Sequence, residues 1–182
     1  MSRARDGARR PRARTAVRLL EPADAAGLAR LLTANREFLA PFEPERDEGY
    51  ATEAGQAALI AHLLAEHAAG RVVPYAVVHD GDLVGRSTVS EVVRGPAQSG
   101  DLGYFVAEEV NGRGVATEAV ARTVEAAFGE LGLHRLQAGT LLSNSASQAV
   151  LQRNGFERIG VARGYLRVAG RWQDHVLYQR TA

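Results

Sequence analysis

At 182 residues the chain is long enough for one domain around a single core, and an apolar share of 46% against 24% charged excludes a wholly disordered chain. The absence of cysteine excludes disulfides, thiolate-bound zinc, iron–sulfur clusters and a thiol nucleophile. Its 22 basic residues are all arginine, set against 21 acidic ones for a net charge of +1, so Schiff-base and Walker-lysine chemistry are excluded too.

The charge is unevenly placed. Residues 1–14 hold six arginines and Asp6, a net +5, which leaves 16 arginines against 20 acidic residues, −4, in the remainder. The N-terminal stretch has no apolar run, so it does not read as a secretory signal. A disordered basic tail over 1–15 and a folded domain over 16–182 are expected. An arm for acidic partners and a solvated leader both fit the tail. No segment approaches the roughly 20 unbroken apolar residues of a membrane span.

Ala16-Val17-Arg18-Leu19-Leu20 reads as a first strand. Leu28, Leu31, Leu32 and Ala34 then recur at helical spacing, until Pro41 and Pro44 fix the loop Ala40-Pro41-Phe42-Glu43-Pro44-Glu45-Arg46. Thr52 caps a second helix with Ala57, Ile60, Leu63 and Leu64 inward, and Gly70 ends it. Three strands follow as an antiparallel meander: Val72–Val78, Leu83 to Val93 and Asp101–Ala107, the first two joined by the hairpin turn Asp80-Gly81. The longest helical stripe is Val115, Ala119, Val120, Val124, Ala127, Phe128 and Leu131, stopped by Gly132. A strand at Leu133–Leu142, a short helix capped by Asn144 with Ala146, Val150 and Leu151 inward, and two closing strands at Phe156–Val161 and Val176–Tyr178 complete the chain. The order β-α-α-β-β-β-α-β-α-β-β predicts a single α/β or α+β domain with a mixed sheet.

The chemistry-bearing segment is Asn111-Gly112-Arg113-Gly114-Val115-Ala116-Thr117, which leaves a strand and enters a helix. Two glycines at alternate positions admit close backbone approach. Free N–H groups at a helix start, with the helix dipole, suit a phosphate or pyrophosphate, and Arg113 would add a charged contact. A tight loop needing glycine for geometry alone fits the same residues. The third glycine of a dinucleotide fingerprint falls on Thr117, so this is not a Rossmann loop.

Thirty residues on, Asn144-Ser145-Ala146-Ser147-Gln148-Ala149-Val150-Leu151-Gln152-Arg153-Asn154-Gly155-Phe156 supplies context. Together the two segments resemble the GNAT superfamily of N-acetyltransferases. Its pyrophosphate loop Q/R-x-x-G-x-G/A is matched from Asn111 to Ala116, with Asn in the first place. The later N-x-x-S-x-x-V-L-x-x-x-G-F is matched at Asn144, Ser147, Val150, Leu151, Gly155 and Phe156. Within the superfamily the chain looks most like the RimJ/RimL type, the ribosomal-protein N-terminal acetyltransferases. Three features carry that: Leu39-Ala40-Pro41-Phe42-Glu43-Pro44 followed by Arg46, Ser147 itself, and the ending from Tyr165 to His175 through Trp172. The resemblance covers about residues 16–181.

That resemblance implies a GNAT-like fold: a mixed, mostly antiparallel sheet flanked by helices, with a splayed central strand at Leu102–Val106. It implies direct acetyl transfer from acetyl-CoA to an amine, without a metal. Asn111, Gly112, Arg113, Gly114, Val115, Ala116 and Thr117 would hold the cofactor, with Asn144, Ser147 and Arg153. Backbone N–H groups near Phe105 and Val106 would polarise the carbonyl. The general-acid tyrosine of many relatives is Leu151 here, so Ser147 is the candidate donor to the leaving sulfur; a local helix-start role fits it equally. Asp101 is the first candidate base and Glu91 the second. The expected acceptor is the N-terminal α-amine of a protein, a ribosomal protein above all, in the cytoplasm. Such an amine is partly neutral at pH 7 and suits a site without a strong base. A small-molecule amine such as an antibiotic, and a non-catalytic acyl-CoA-binding module, are the alternatives. Neither membrane association nor direct nucleic-acid binding is expected; a monomer and a homodimer both fit.

Two further groups have bland readings. His62 and His67, with Glu66 between them, lack metal-ligand spacing. Asp174-His175 with Trp172 fits either a substrate wall or a strand that packs Trp172.

Overall fold

The computed structural model describes residues 15–182; what was expected of 1–14 lies outside the described residues. Strand β1 (Thr15–Leu19) starts one residue before the expected boundary and leads through a 3-10 turn (Pro22–Asp24) into α1 (Ala25–Ala34). A one-turn α2 (Arg36–Leu39), which the sequence pattern does not signal, precedes α3 (Glu53–Ala68). Next come β2 (Val73–His79), β3 (Asp82–Val93), β4 (Ser99–Val106), α4 (Val115–Gly129), β5 (Arg135–Leu141), α5 (Ser145–Arg153), β6 (Glu157–Val168) and β7 (Arg171–Thr181).

The seven strands form one sheet in the order β1-β2-β3-β4-β5-β7-β6, antiparallel at every step except β4 to β5. That one parallel step is short. Ser99, Gly100 and Asp101 pair with Arg135, Leu136 and Gln137, and there the ladder stops. β4 then follows β3 as far as Val106, while β5 follows β7 as far as Leu141. The sheet therefore opens into a V at its centre. Gly85 on β3 holds one arm: a Cβ there would lie 2.2 Å from the Phe105 carbonyl oxygen, so only glycine lets β3 and β4 approach so closely.

Helices cover both faces. Val120, Val124 and Ala127 of α4 and Leu151 of α5 pack with Leu102, Leu136, Ala138 and Tyr178 on one side. Leu28 of α1 and Ile60 of α3 pack with Ala76 and the half-buried Phe105 on the other. Each such valine, leucine or isoleucine side chain contributes about 1.5–3 kcal/mol by leaving water.

Several expectations need correction. Ala34, Ala57 and Ala146 are exposed. On α3 the inward place goes to Gln56, whose Nε2 donates to the Tyr50 carbonyl at 2.6 Å. α4 ends at Gly129, three residues short of Gly132. β6 and β7 are far longer than read, because β6 is a solvent-facing edge strand with no alternation of buried residues to reveal it.

Candidate active site at the central splay

The arms of the V expose backbone. The Ala107 N–H donates to the Val84 carbonyl across β3 at 2.7 Å. Strand groups alternate in direction, so the N–H of Phe105 also faces β3, and those of Tyr104 and Val106 face the gap that β5 has left. The sequence expectation of Phe105 and Val106 is thus adjusted: Phe105 brings its ring to the site, Tyr104 and Val106 their amides.

At the end of β4 a 3-10 turn carries the chain to Asn111 and the glycine loop. Gly112 and Gly114 have φ of 71° and 82°, in the left-handed region, and a Cβ on either would meet open space. Gly114 is the N-cap of α4 and has no side chain to cap it. The first helical bond is Glu118 N–H to the Gly114 carbonyl, so the N–H groups of Val115, Ala116 and Thr117 stand ahead of it. This is a cradle for an anion at the positive end of a 15-residue helix. Asn111 and Arg113 are exposed beside it. Asn154, at the end of α5, ties this turn down by donating from Nδ2 to the carbonyls of Thr117 and Val150 at 3.1 and 2.9 Å. Its neighbour Arg153 is exposed and lines a separate depression with Gly155, Glu157 and Thr181.

Across the gap, Asn144 caps α5 as its sequence position predicts: its Oδ1 accepts from the Ser147 N–H at 3.0 Å. The Ser147 hydroxyl does more than bond locally. It meets the Tyr104 hydroxyl of β4 at 2.8 Å, and the Tyr104 hydroxyl is also 3.2 Å from the Ser147 carbonyl. Burial pushes the Tyr104 phenol up to about 12, with the Ser147 hydrogen bond opposing, so it stays protonated near neutrality. When Tyr104 donates to Ser147 Oγ, the serine's own proton is left for a third group. Tyr104 was read only as part of a strand, and 43 residues of separation hid its pairing with Ser147.

The other face of β4 carries Asp101, Gly103 and Phe105, by alternation. Gly103 and Phe105 floor a cleft of about 310 Å³ walled by Arg86 and Thr88 of β3, Leu39 of α2, and Glu43 of the following loop. The Arg86 guanidinium lies over the Phe105 ring at 5.5 Å. Burial pushes the Glu43 carboxyl up, and Arg46 and Arg86 pull it down. Asp101 sits one alternation step below Gly103, where β4 still pairs with β5. Burial raises its pKa, the charge of Glu91 raises it further, and Arg135 opposes both. Glu91 is exposed, at φ 50° beside the β3 irregularity.

β6 closes the site. Its register slips between Ala162 and Leu166, and Asp174 Oδ1 accepts from the Gly164 N–H at 2.8 Å to hold the slipped turn. Tyr165 thereby stacks edge-on to His175, ring centroids 5.6 Å apart, both beside Gly139 of β5. His175 is buried and its Nδ1 lies 3.0 Å from the Gln173 carbonyl, which can only accept. Trp172 is 70% exposed, so the strand does not pack it. His62 is exposed, while His67 Nδ1 bonds the Val72 carbonyl at 3.1 Å. No group of three or more metal-ligating side chains occurs among the described residues, and none of their helices is long and apolar enough to cross a membrane.

Comparison with known proteins places this geometry. A family model described as the acetyltransferase (GNAT) domain matches residues 14–157. The Bacillus subtilis (strain 168) protein YjcK, described as a probable N-acetyltransferase, is 35% identical over 161 residues, which are 87% of this chain and 89% of its own. The ribosomal protein uS5 alanine N-acetyltransferase of Escherichia coli (strain K12) is 33% identical over 166 residues, 90% of this chain and 86% of its own. The solved structure of Mycobacterium smegmatis RimJ in complex with CoA-disulfide has a TM-score of 0.90 at 34% identity, covering 92% of this chain and 82% of that one.

Proposed function

The chain belongs to the GNAT acetyltransferase family and is an acetyl-CoA-dependent N-acetyltransferase; on that premise we propose that its acceptor is the α-amine at a protein N-terminus, a ribosomal protein's first of all. The observation that carries this reading is the pairing of two sites across β4: an anion cradle at α4 and a carboxylate-bearing cleft on the opposite face. A relative named as a ribosomal protein uS5 alanine N-acetyltransferase and the solved RimJ, each alike over nine-tenths of the chain, support the choice of acceptor. A ribosomal substrate would place the enzyme in the cytoplasm.

Acetyl-CoA supplies an acetyl group held as a thioester. The N–H groups of Val115, Ala116 and Thr117 hold the pyrophosphate, with Gly112 and Gly114 giving access and Asn111 and Arg113 flanking. Asn144 shapes the start of α5 beside the cofactor arm. Amides of Tyr104 and Val106 face the gap, where they polarise the carbonyl under attack. Asp101, its pKa raised by burial, accepts the proton of the amine through water. Glu91 acts on Asp101 by repulsion. The Ser147 hydroxyl, its oxygen accepting from Tyr104, turns its own O–H to the departing thiolate and stabilises it by a hydrogen bond; the thiolate then takes its proton from water, to which Asp101 returns the one lost by the amine. Arg153, turned to a separate depression, contributes only long-range charge. The experiment is mass spectrometry of cellular N-termini with and without the enzyme. Free N-termini appearing on ribosomal proteins alone upon deletion fit the proposal; unchanged N-termini reject it.

A further inference from the structure

The cleft on β4 holds two opposite charges that do not satisfy each other. Glu43 and Arg86 line it together, among Leu39, Phe42 and Leu63. The Glu43 carboxylate makes no hydrogen bond with any described residue, although the charges of Arg46 and Arg86 both act on it. Beyond its contact with the Phe105 ring, the Arg86 guanidinium has among the described residues one hydrogen bond, from Nη2 to the Tyr50 hydroxyl at 3.5 Å, while its buried Nη1 has none. An unpaired buried guanidinium donor is costly and signals a missing partner. The loop that carries Glu43 is strapped in place. The Ala169 N–H of the β6–β7 turn donates to the Glu43 carbonyl at 3.0 Å, and Arg167 lies 3.7 Å from Glu45. Leu39 and Glu43 also line a second groove of about 440 Å³, so Glu43 stands between the cleft and that groove.

We infer that Glu43 and Arg86 together read the first residue of the acceptor, Glu43 taking the α-ammonium and Arg86 the carbonyl of that same residue. This deepens, and rests on, the reading of the acceptor as an α-amine. Ammonium and carbonyl lie on adjacent carbons of every aminoacyl N-terminus, so one ligand answers both charges. A plain alkylamine answers only Glu43 and leaves Arg86 unpaired. The second groove then takes the residues that follow.

The test compares alaninamide with isopropylamine, each rate expressed per neutral amine, for wild type, Arg86→Met, Arg86→Lys and Glu43→Gln. Wild type should favour alaninamide by at least about a hundredfold in kcat/KM, a lower bound beside the roughly 10⁴–10⁵ by which a site built to hydrogen-bond a polar group can reject an analogue lacking it. Arg86→Met should bring the ratio within about threefold of unity and Arg86→Lys should restore part of it. Glu43→Gln should raise KM for both amines at least about tenfold, leaving KM for acetyl-CoA unchanged. Far-ultraviolet circular dichroism and acetyl-CoA affinity confirm that each variant is folded. Should the variant ratios equal that of wild type, the inference falls while the α-amine acceptor stands. Should wild type acetylate isopropylamine but not alaninamide, the α-amine reading falls as well.

Discussion

Three side chains carry the proposed chemistry, and each has a different visibility. Ser147 stands in a recognisable segment, but its partner Tyr104 does not, because a hydrogen bond across 43 residues leaves no spacing pattern. Tyr104→Phe should lower kcat about tenfold, the ~1.4 kcal/mol of one lost hydrogen bond in the transition state, and Ser147→Ala should lower it further, both with acetyl-CoA affinity nearly intact. Steady-state kinetics with calorimetry checks this; unchanged kcat in both variants would return Ser147 to a helix-start role.

Asp101 gives a pH signature. A proton acceptor must be ionised, and burial with Glu91 repulsion raises its pKa. The acid limb of kcat/KM should therefore lie above the ordinary aspartate range of about 4, and Asp101→Asn should remove it. Stability runs the other way. A folded pKa above the unfolded one favours the fold below the unfolded value, and that contribution is lost as pH rises through the folded value. At neutral pH Asp101→Asn should be at least as stable as wild type by urea denaturation while losing activity. A destabilised variant with full activity would contradict both statements. Asp24 is the structural contrast. Its carboxylate holds Arg18 at 2.6 and 2.7 Å, which keeps its pKa low, so its stabilisation is present above the ordinary value and fades as acid is added.

At the scale of elements, helices and hairpins were legible wherever one face is buried. The stripe of α4, the Thr52 and Asn144 caps and the Asp80-Gly81 turn, with φ of 53° and 96°, all follow from local rules. What escaped were stretches with no buried periodicity: the single turn of α2 and the second half of the outer strand β6, whose slip sets Tyr165 against His175. Glu43 and Arg86 sat in quoted or unremarked segments, and only the fold brings them into one cleft. The α4 entry allows a local test. Gly114 takes φ 82°, so Gly114→Val places a branched residue where L side chains cost roughly 1–2 kcal/mol. It also fills the space through which a phosphate approaches. Acetyl-CoA binding should weaken by at least about 2 kcal/mol, some thirtyfold, with a smaller loss in Gly114→Ala. Wild-type affinity in the valine variant would move the cofactor away from this loop.

For the molecule as a whole, the V in the sheet is the device on which everything depends. It exists because β4 and β5 pair over only three residues before each follows a different neighbour. On the proposed reading the cofactor enters at one mouth and the acceptor on the opposite face, with the backbone of β4 between them. Beyond residue 14 the chain carries a charge of −4, and Glu43, Glu45, Asp47 and Glu48 outnumber Arg36 and Arg46 around the second groove. A basic peptide should therefore be drawn to it, with kcat/KM falling as salt is raised; a flat salt response would remove this electrostatic part. The most direct measurement of the central claim uses two peptides of one basic sequence, each followed by intact mass after incubation with enzyme and acetyl-CoA. One has a free N-terminus and a blocked lysine, the other a blocked N-terminus and a free lysine. A gain of one acetyl group on the first peptide alone is the predicted result; acetylation confined to the lysine peptide would contradict the account.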